Sequence, residues 1–349
     1  MTNIPVIDFK NLPLKDTLNG EELNKWKEIG EEVYKACSEY GFFYIKNHGI
    51  SKEDIDNQFN MAKEYFNFSE AEKNKFGIQP DNYGYCAMEQ ETLEVGTAPD
   101  PKEAFNVWTS TGKIPNDRIP PYFKERDSKV QEFYSQCHQL SVKILRSFAL
   151  GLKLDDYKFF DESNQLNLTS GTTLRYLHYP PIPSASADLI NKGIIRAGAH
   201  SDYGVLTLLF QSPCDQLDSD FSGLQILHDE DKWINVGNKE GYIVVNTGDL
   251  MNIWTEGRLK SAIHRVLVPN TDIAKIHRYT MAFFSHSNSD YSIHRLETPI
   301  QAPNPAKQVT NSESGKVEHH STLGASPFVF GENDGIYLHR RLSATTEYK

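Results

Sequence analysis

Residues 195–211 run IRAGAHSDYGVLTLLFQ, and from Gly204 onward the stretch is almost wholly apolar. It carries the β-branched Val205 and Thr207 and starts at a glycine, so residues 204–211 read as a buried strand. Segments of similar character lie on both sides of it, at 172–179, 224–227, 242–246, 263–268 and 278–286. Short strands at this density, separated by turn residues, predict a sandwich or barrel beyond residue 170.

The half of the chain before it follows another period. Ile4, Val6 and Asp8 alternate as in a first strand. Leu23, Trp26, Ile29, Val33 and Cys37 recur at helical steps, the apolar stripe of a surface helix ended by Gly41. Residues 42–45 predict a short strand closed by the turn at Asn47, His48 and Gly49, and a second helix covers about 53–66. Residues 77–122 are rich in Gly, Pro and Asp without a period, and read as long loops with short strands that cover a site. Val130, Phe133, Cys137, Leu140, Ile144 and Phe148 mark a long helix over 123–152, with Gly151 near its end. Residues 299–326 carry the Pro, Ser and Asn of a mobile segment, and a last amphipathic helix is expected at 336–345. The organisation expected is an N-terminal lobe (1–122), a supporting helix and connection (123–168), the stranded core (169–288) and a C-terminal extension (289–349).

At 349 residues the chain can bury a substantial core, and its 24% charged and 38% hydrophobic content is that of a globular protein. The net charge of −11 argues against a duplex nucleic-acid surface, which needs clustered Lys and Arg to displace counterions. No apolar run is long enough to span a bilayer, so no membrane partner is expected. The first ten residues lack the basic-then-apolar order of a secretory signal. Cys37, Cys86, Cys137 and Cys214 are scattered without a CxxC pair, as expected of reduced thiols in a cytoplasmic protein.

The opening stretch also carries chemistry. On an extended backbone residues i and i+2 point to one face, so His200 and Asp202 can meet the same ion. A third ligand is available at His264, which interrupts a strand-like apolar pattern. HxD alone occurs often by chance, and a lone His on an apolar face is usually a satisfied core residue. Two imidazoles and one carboxylate on one face, however, leave the opposite coordination positions open, as non-haem iron(II) oxygenases require. On the next strand Arg278, Thr280, Ala282 and Phe284 share a face. An inward guanidinium needs an anion, and beside a hydroxyl it suits a carboxylate ligand; the alternative is a buried structural salt bridge. The other histidines, His286 among them, show no comparable pairing and are assigned structural or solvated roles.

The strings HSDYGVLTLLFQ, GLQI, VVNTGDLMNIWTEGRLKSAIHRV and RYTMAFF, with Trp233 between them, come in an order that resembles one family. It is the isopenicillin N synthase-like superfamily of iron(II)/2-oxoglutarate-dependent dioxygenases. The likeness is dense over about 170–288 and reaches the N-terminal lobe through IPVIDF and GFFYIKNHGI. It implies an α+β, β-dominated fold with a double-stranded β-helix (jelly-roll) core flanked by helices. It implies iron(II) on His200, Asp202 and His264, O2, and 2-oxoglutarate as co-substrate held by Arg278, Thr280 and Tyr179. Thr280 stands where the family has Ser, and Leu177 stands where it has Asn, so that last contact is missing. The acidic loop 212–222 is longer than usual. Asn246 and Asp249 are expected to shape the turn around the ligands rather than to touch the metal. By the same resemblance 2-oxoglutarate is decarboxylated to succinate and CO2 while a small-molecule substrate is oxidised.

Two alternatives stay open at this point. In isopenicillin N synthase itself the Arg-x-Ser pair holds the substrate's carboxylate and no 2-oxoglutarate is used. A binding or sensor protein on the same scaffold is the third, since fold does not fix function. For the substrate, Arg175 shares strand parity with Tyr179, Tyr203 follows Asp202, and Phe284 lies on the Arg278 face. Ordinary barrel packing would account for all three. LRYLHYPP, IRAGAHSDYGVLTLLFQ and PDPKEAF resemble fungal thymine dioxygenases, which makes a pyrimidine base the first candidate substrate.

Overall fold

The computed structural model describes residues 4–94, 98–109, 114–182, 193–212, 222–228, 232–268, 274–303, 309–310, 317–318 and 333–338. In the first half lie β1 (Val6–Asp8), α1 (Gly20–Glu39), β2 (Phe42–Lys46), α2 (Lys52–Phe66), α3 (Glu70–Lys73), β3 (Gly84–Cys86), β4 (Glu103–Thr109), α4 (Pro121–Lys124) and α5 (Asp127–Gly151). The second half supplies β5 (Thr173–Tyr179), β6 (Ile195–His200), β7 (Leu206–Gln211), β8 (Leu224–His228), β9 (Lys232–Val236) and β10 (Ile243–Thr247). After these come α6 (Asp249–Trp254), β11 (His264–Leu267), β12 (Arg278–Ser285) and the small hairpin β13 (Val309–Thr310) and β14 (Val317–Glu318).

Helix α1 starts at Asn19, whose side chain accepts from the Glu22 amide while Glu22 reaches back to the Asn19 amide, a capping box. Its buried stripe, from Trp26 to Cys37, packs on α5. The two helices cross at glycines: a Cβ on Gly151 would lie 2.4 Å from the Gly30 carbonyl oxygen.

Eight strands form one sheet in the order β1-β2-β10-β7-β12-β5-β4-β3, and four form a second in the order β6-β11-β8-β9. Together they are the two walls of a double-stranded β-helix. Strand β12 lies inside the larger wall and is buried on both faces. Tyr279, Met281 and Phe283 belong to the core cluster that includes α2 and α5, with Tyr134 against Phe283 at 5.1 Å between rings. The alternate residues Thr280, Ala282 and Phe284 line the barrel interior, as a period of two requires.

Two expectations change and one, the short strands within residues 77–122, holds. The helix over 123–152 is two helices, because Arg126 takes φ −116° and ψ 8° and separates α4 from α5. Residues 77–122 hold β3 and β4, and β4 pairs along β5 from Glu103 to Thr109. A register shift between Asn106 and Trp108 breaks the alternation that would have revealed that strand. The extended backbone around the HxD motif ends at His200, so Asp202 is carried by the turn after β6 and not by its pleat.

Cys37, Cys86 and Cys137 are free and buried. Cys214, most of the acidic loop 212–222, most of 299–326 and the end of the helix expected at 336–345 lie outside the described residues. Among the described residues no helix is long and apolar enough to cross a membrane.

Candidate functional site

Strands β6 and β11 pair so that His200 and His264 face each other in register. The turn after β6 brings Asp202 to the same point. Ligand atoms of His200, Asp202 and His264 all lie within 4.8 Å of one another, with Asp202 Oδ1 4.0 Å from His200 Nε2 and 3.8 Å from His264 Nε2.

Each candidate ligand is oriented from behind. His200 Nδ1 donates to the Gly198 carbonyl at 2.7 Å and His264 Nδ1 to the Ala262 carbonyl at 3.1 Å. A ring nitrogen facing a carbonyl must carry the proton, which leaves both Nε2 lone pairs for an ion. Asp202 Oδ2 accepts from Thr207 Oγ1 at 2.6 Å and from Asn246 Nδ2 at 2.7 Å, leaving Oδ1 for the same ion. The turn itself is pinned by α6. Asp249 donates its amide to the Asp202 carbonyl at 2.7 Å and accepts from Ser201 Oγ at 2.9 Å. A Cβ on Gly248 would meet the Gly204 carbonyl oxygen at 2.1 Å, so the NTGD turn can sit there only with glycine.

Burial, reinforced by the His264 imidazole, pushes the His200 pKa from 6.5 down to about 3, so its ring is neutral at physiological pH. Burial alone would raise the Asp202 pKa; the two imidazoles and the two hydrogen bonds outweigh it and hold the carboxyl ionised. Two imidazoles with their Nε2 atoms turned inward and one carboxylate, gathered with their other atoms satisfied, fit a divalent iron ion.

Beyond this triad a pocket opens between the sheets. Tyr179, Thr280, Arg175, Tyr203 and Phe284 all line it, the four on β5 and β12 in keeping with their strand parity. Arg278 lies in the wall, 5% exposed, its Nη2 3.2 Å from Gln211 Oε1 and its guanidinium 5.6 Å from the Tyr179 ring centre.

Arg175 is not a lone cation. Its Nη2 lies 2.6 Å from Glu91 Oε2, and Lys102 Nζ lies 3.3 Å from the same oxygen and 2.8 Å from Asp100 Oδ2. Burial would raise the Glu91 pKa, but Arg175 and Lys102 overcome it and hold the carboxyl at about 2. The array of two acids and two bases is formally neutral; Glu91, Asp100 and Lys102 are buried and Arg175 is 12% exposed.

Sequence reasoning missed Glu91, Asn82, Lys102 and Asn106, which also line the pocket. They come from the aperiodic stretch 77–122, where no local signal marks them. His286 was assigned a structural or solvated role, yet it too lines the pocket, with Nδ1 3.1 Å from Asp334 Oδ2. That residue was readable, because it continues the alternation 278, 280, 282, 284 by one step. Asp334 opens the short helical segment 334–338, whose Leu338 lines the same pocket.

Comparison with known proteins gives consistent results. A family model described as non-haem dioxygenase in morphine synthesis N-terminal matches residues 4–126, and one for the 2OG-Fe(II) oxygenase superfamily matches residues 169–287. A 2-oxoglutarate-Fe(II) type oxidoreductase of Emericella nidulans is 33% identical over 307 residues, covering 82% of this chain and 80% of that protein. A homoarginine-6-hydroxylase of Glycine max is 29% identical over 331 residues, covering 90% and 95%. A full-length Neurospora crassa protein solved in complex with alpha-KG and thymine is similar at a TM-score of 0.71 and 28% identity, over 98% of this chain and 96% of that one.

Proposed function

Because the chain belongs to the 2OG-Fe(II) oxygenase superfamily, we propose that it hydroxylates a small, neutral, planar heterocycle, with a free pyrimidine base as first candidate. The protein is an iron(II)- and 2-oxoglutarate-dependent dioxygenase. His200, Asp202 and His264 would hold the iron, and Arg278, Thr280 and Tyr179 the far end of the co-substrate. Iron(II) with 2-oxoglutarate and O2 supplies the oxidant for a C–H bond, and succinate and CO2 are released.

What the chain's own residues add is placement. The Nδ1 contacts of His200 and His264 fix both rings. Thr207 and Asn246 fix the Asp202 carboxylate.

The observation that carries the substrate reading is the Arg175–Glu91–Lys102 array. It offers a donor, an acceptor and a donor side by side. A pyrimidine imide edge presents acceptor, donor and acceptor, the complement. The aromatic rings of Tyr203 and Phe284 line the same pocket and can stack on a flat ring, at about 0.5–1.5 kcal/mol per pair beyond burial. With Asp100, which pairs with Lys102, the array carries no net charge, and this favours a neutral polar ligand over a cation such as homoarginine, the substrate in the name of one relative.

The test is succinate release with thymine, uracil, 5-hydroxymethyluracil, homoarginine and proline offered in parallel. A pyrimidine should stimulate release above the uncoupled background, and Arg175→Ala and Phe284→Ala should lower that stimulation more than the background. Stimulation by an amino acid alone would discard the heterocycle and leave the iron chemistry in place.

A further inference from the structure

Arg196 lies on β6, four residues before His200. It is among the largest fully buried side chains, at 1% exposure. A guanidinium carries five N–H donors. Here Nη2 donates to the Pro180 carbonyl at 3.2 Å, while Nε and Nη1 have no hydrogen-bond partner among the described residues. No carboxylate among those residues forms an ion pair with it: the titratable groups acting on it are Arg278, which repels it, His277 and the Tyr179 hydroxyl. Burial first, and then Arg278, lower its pKa to about 10, so it remains a cation.

The other cations near this pocket differ. Arg175 and Lys102 are matched by Glu91 and Asp100. Arg196 sits instead at the Tyr179 end. Its guanidinium is 6.0 Å from the Tyr179 ring centre, and that of Arg278 is 5.6 Å from the same ring. Tyr179 lines the pocket and is the register partner of Arg278 across β5 and β12. Two guanidiniums therefore converge on one pocket-lining tyrosine. A purely structural arginine buried this deeply would spend its donors on carbonyls or an acid, as Arg146 does on Asp161 and the Lys15 carbonyl. Arg196 keeps two nitrogens in reserve.

We propose that Arg196 is a second guanidinium of the co-substrate site, binding the far carboxylate of 2-oxoglutarate together with Arg278 and Tyr179. The inference rests on the reading that this end of the pocket receives that carboxylate. A carboxylate has about four lone-pair sites, enough for a forked contact from one arginine and further bonds from another. Its arrival satisfies donors that are otherwise buried unused, and it screens the repulsion between Arg196 and Arg278. Arg196 thus confers selectivity for a five-carbon dicarboxylic 2-oxo acid over a monocarboxylic one.

The experiment compares 2-oxoglutarate with 2-oxobutyrate, which keeps the 2-oxo acid and lacks the far carboxylate. Binding of each is measured by calorimetry to full-length, Zn(II)-loaded protein without turnover. Arg196→Gln should weaken 2-oxoglutarate at least tenfold and leave 2-oxobutyrate within twofold. Arg196→Lys, which keeps the charge and most of the stem, should recover part of the loss. Equal weakening of both acids, or of neither, overturns the proposal. If Arg196→Gln does not fold by thermal melting, Arg196→Lys alone decides: 2-oxoglutarate must weaken relative to 2-oxobutyrate. Arg278→Gln separates the two levels. Discrimination lost in Arg278→Gln but kept in the Arg196 variants removes only this inference, whereas discrimination kept in all of them removes the assignment of the subsite.

Discussion

Asp202 is the candidate ligand with the most support behind it, and that support can be removed piece by piece. Its Oδ2 accepts from Thr207 Oγ1 at 2.6 Å and from Asn246 Nδ2 at 2.7 Å, both donors 3% exposed. A hydrogen bond to a charged group contributes about 1.5–3 kcal/mol, and removing a partner that orients a ligand typically costs about 10–100-fold in metal affinity. Thr207→Val and Asn246→Ala should therefore each raise the dissociation constant for Mn(II) or Co(II) by about 10–100-fold. Thr207→Ser keeps the hydroxyl and should stay near the parent. The double variant tests coupling, since both donors serve one oxygen and their losses need not add. The assay is anaerobic competition against a chelator of known affinity, with thermal melts of the metal-free proteins to confirm that each is folded. Parent-like affinity in both single variants would refute the claim that these contacts set the ligand. Metal retained by Asp202→Ala would refute the ligand itself.

The co-substrate reading predicts that Arg278→Ala raises the apparent KM for 2-oxoglutarate, by about 10–150-fold if one charge-assisted contact of about 1.5–3 kcal/mol is lost. Steady-state succinate release over a range of 2-oxoglutarate reads this directly, and an unchanged KM would favour an oxidase that does not use it. The pocket array predicts an acid limb in stability. Glu91 is held at about 2 against an ordinary 4.5, so the folded chain binds its proton less readily than the unfolded one. Its contribution is present above pH 4.5 and fades as pH falls toward 2, with a size on the order of 3 kcal/mol. Urea unfolding of Glu91→Gln should show lower stability than the parent at pH 7 and a gap that narrows below pH 4.5; a gap independent of pH would contradict it.

How far the sequence could be read follows from what each kind of signal encodes. The alternation along β12 gives direction, and it correctly turned Thr280 and Phe284 into the pocket. Carried one step further it would have found His286. The candidate metal triad was legible because two of its members are close in sequence and the third breaks an apolar pattern. The route was misread, since Asp202 reaches its place by a turn that α6 pins from behind.

Partners across long separations were not legible. Parity says that Arg175 points inward, but its acid lies 84 residues away in a stretch without a period. The same holds for the buried His178, whose Nδ1 meets Glu103 Oε1 at 2.7 Å across 75 residues, while Lys73 meets the other oxygen of that carboxylate at 2.6 Å. Such pairs depend on which strands become neighbours, and no window of sequence contains that. The consequence is chemical. A lone Arg175 would favour an anionic ligand, whereas Arg175 joined to Glu91, Lys102 and Asp100 is part of an array without net charge that both donates and accepts. Local sequence set the direction of the side chain, and the distant segments set the charge of the pocket wall.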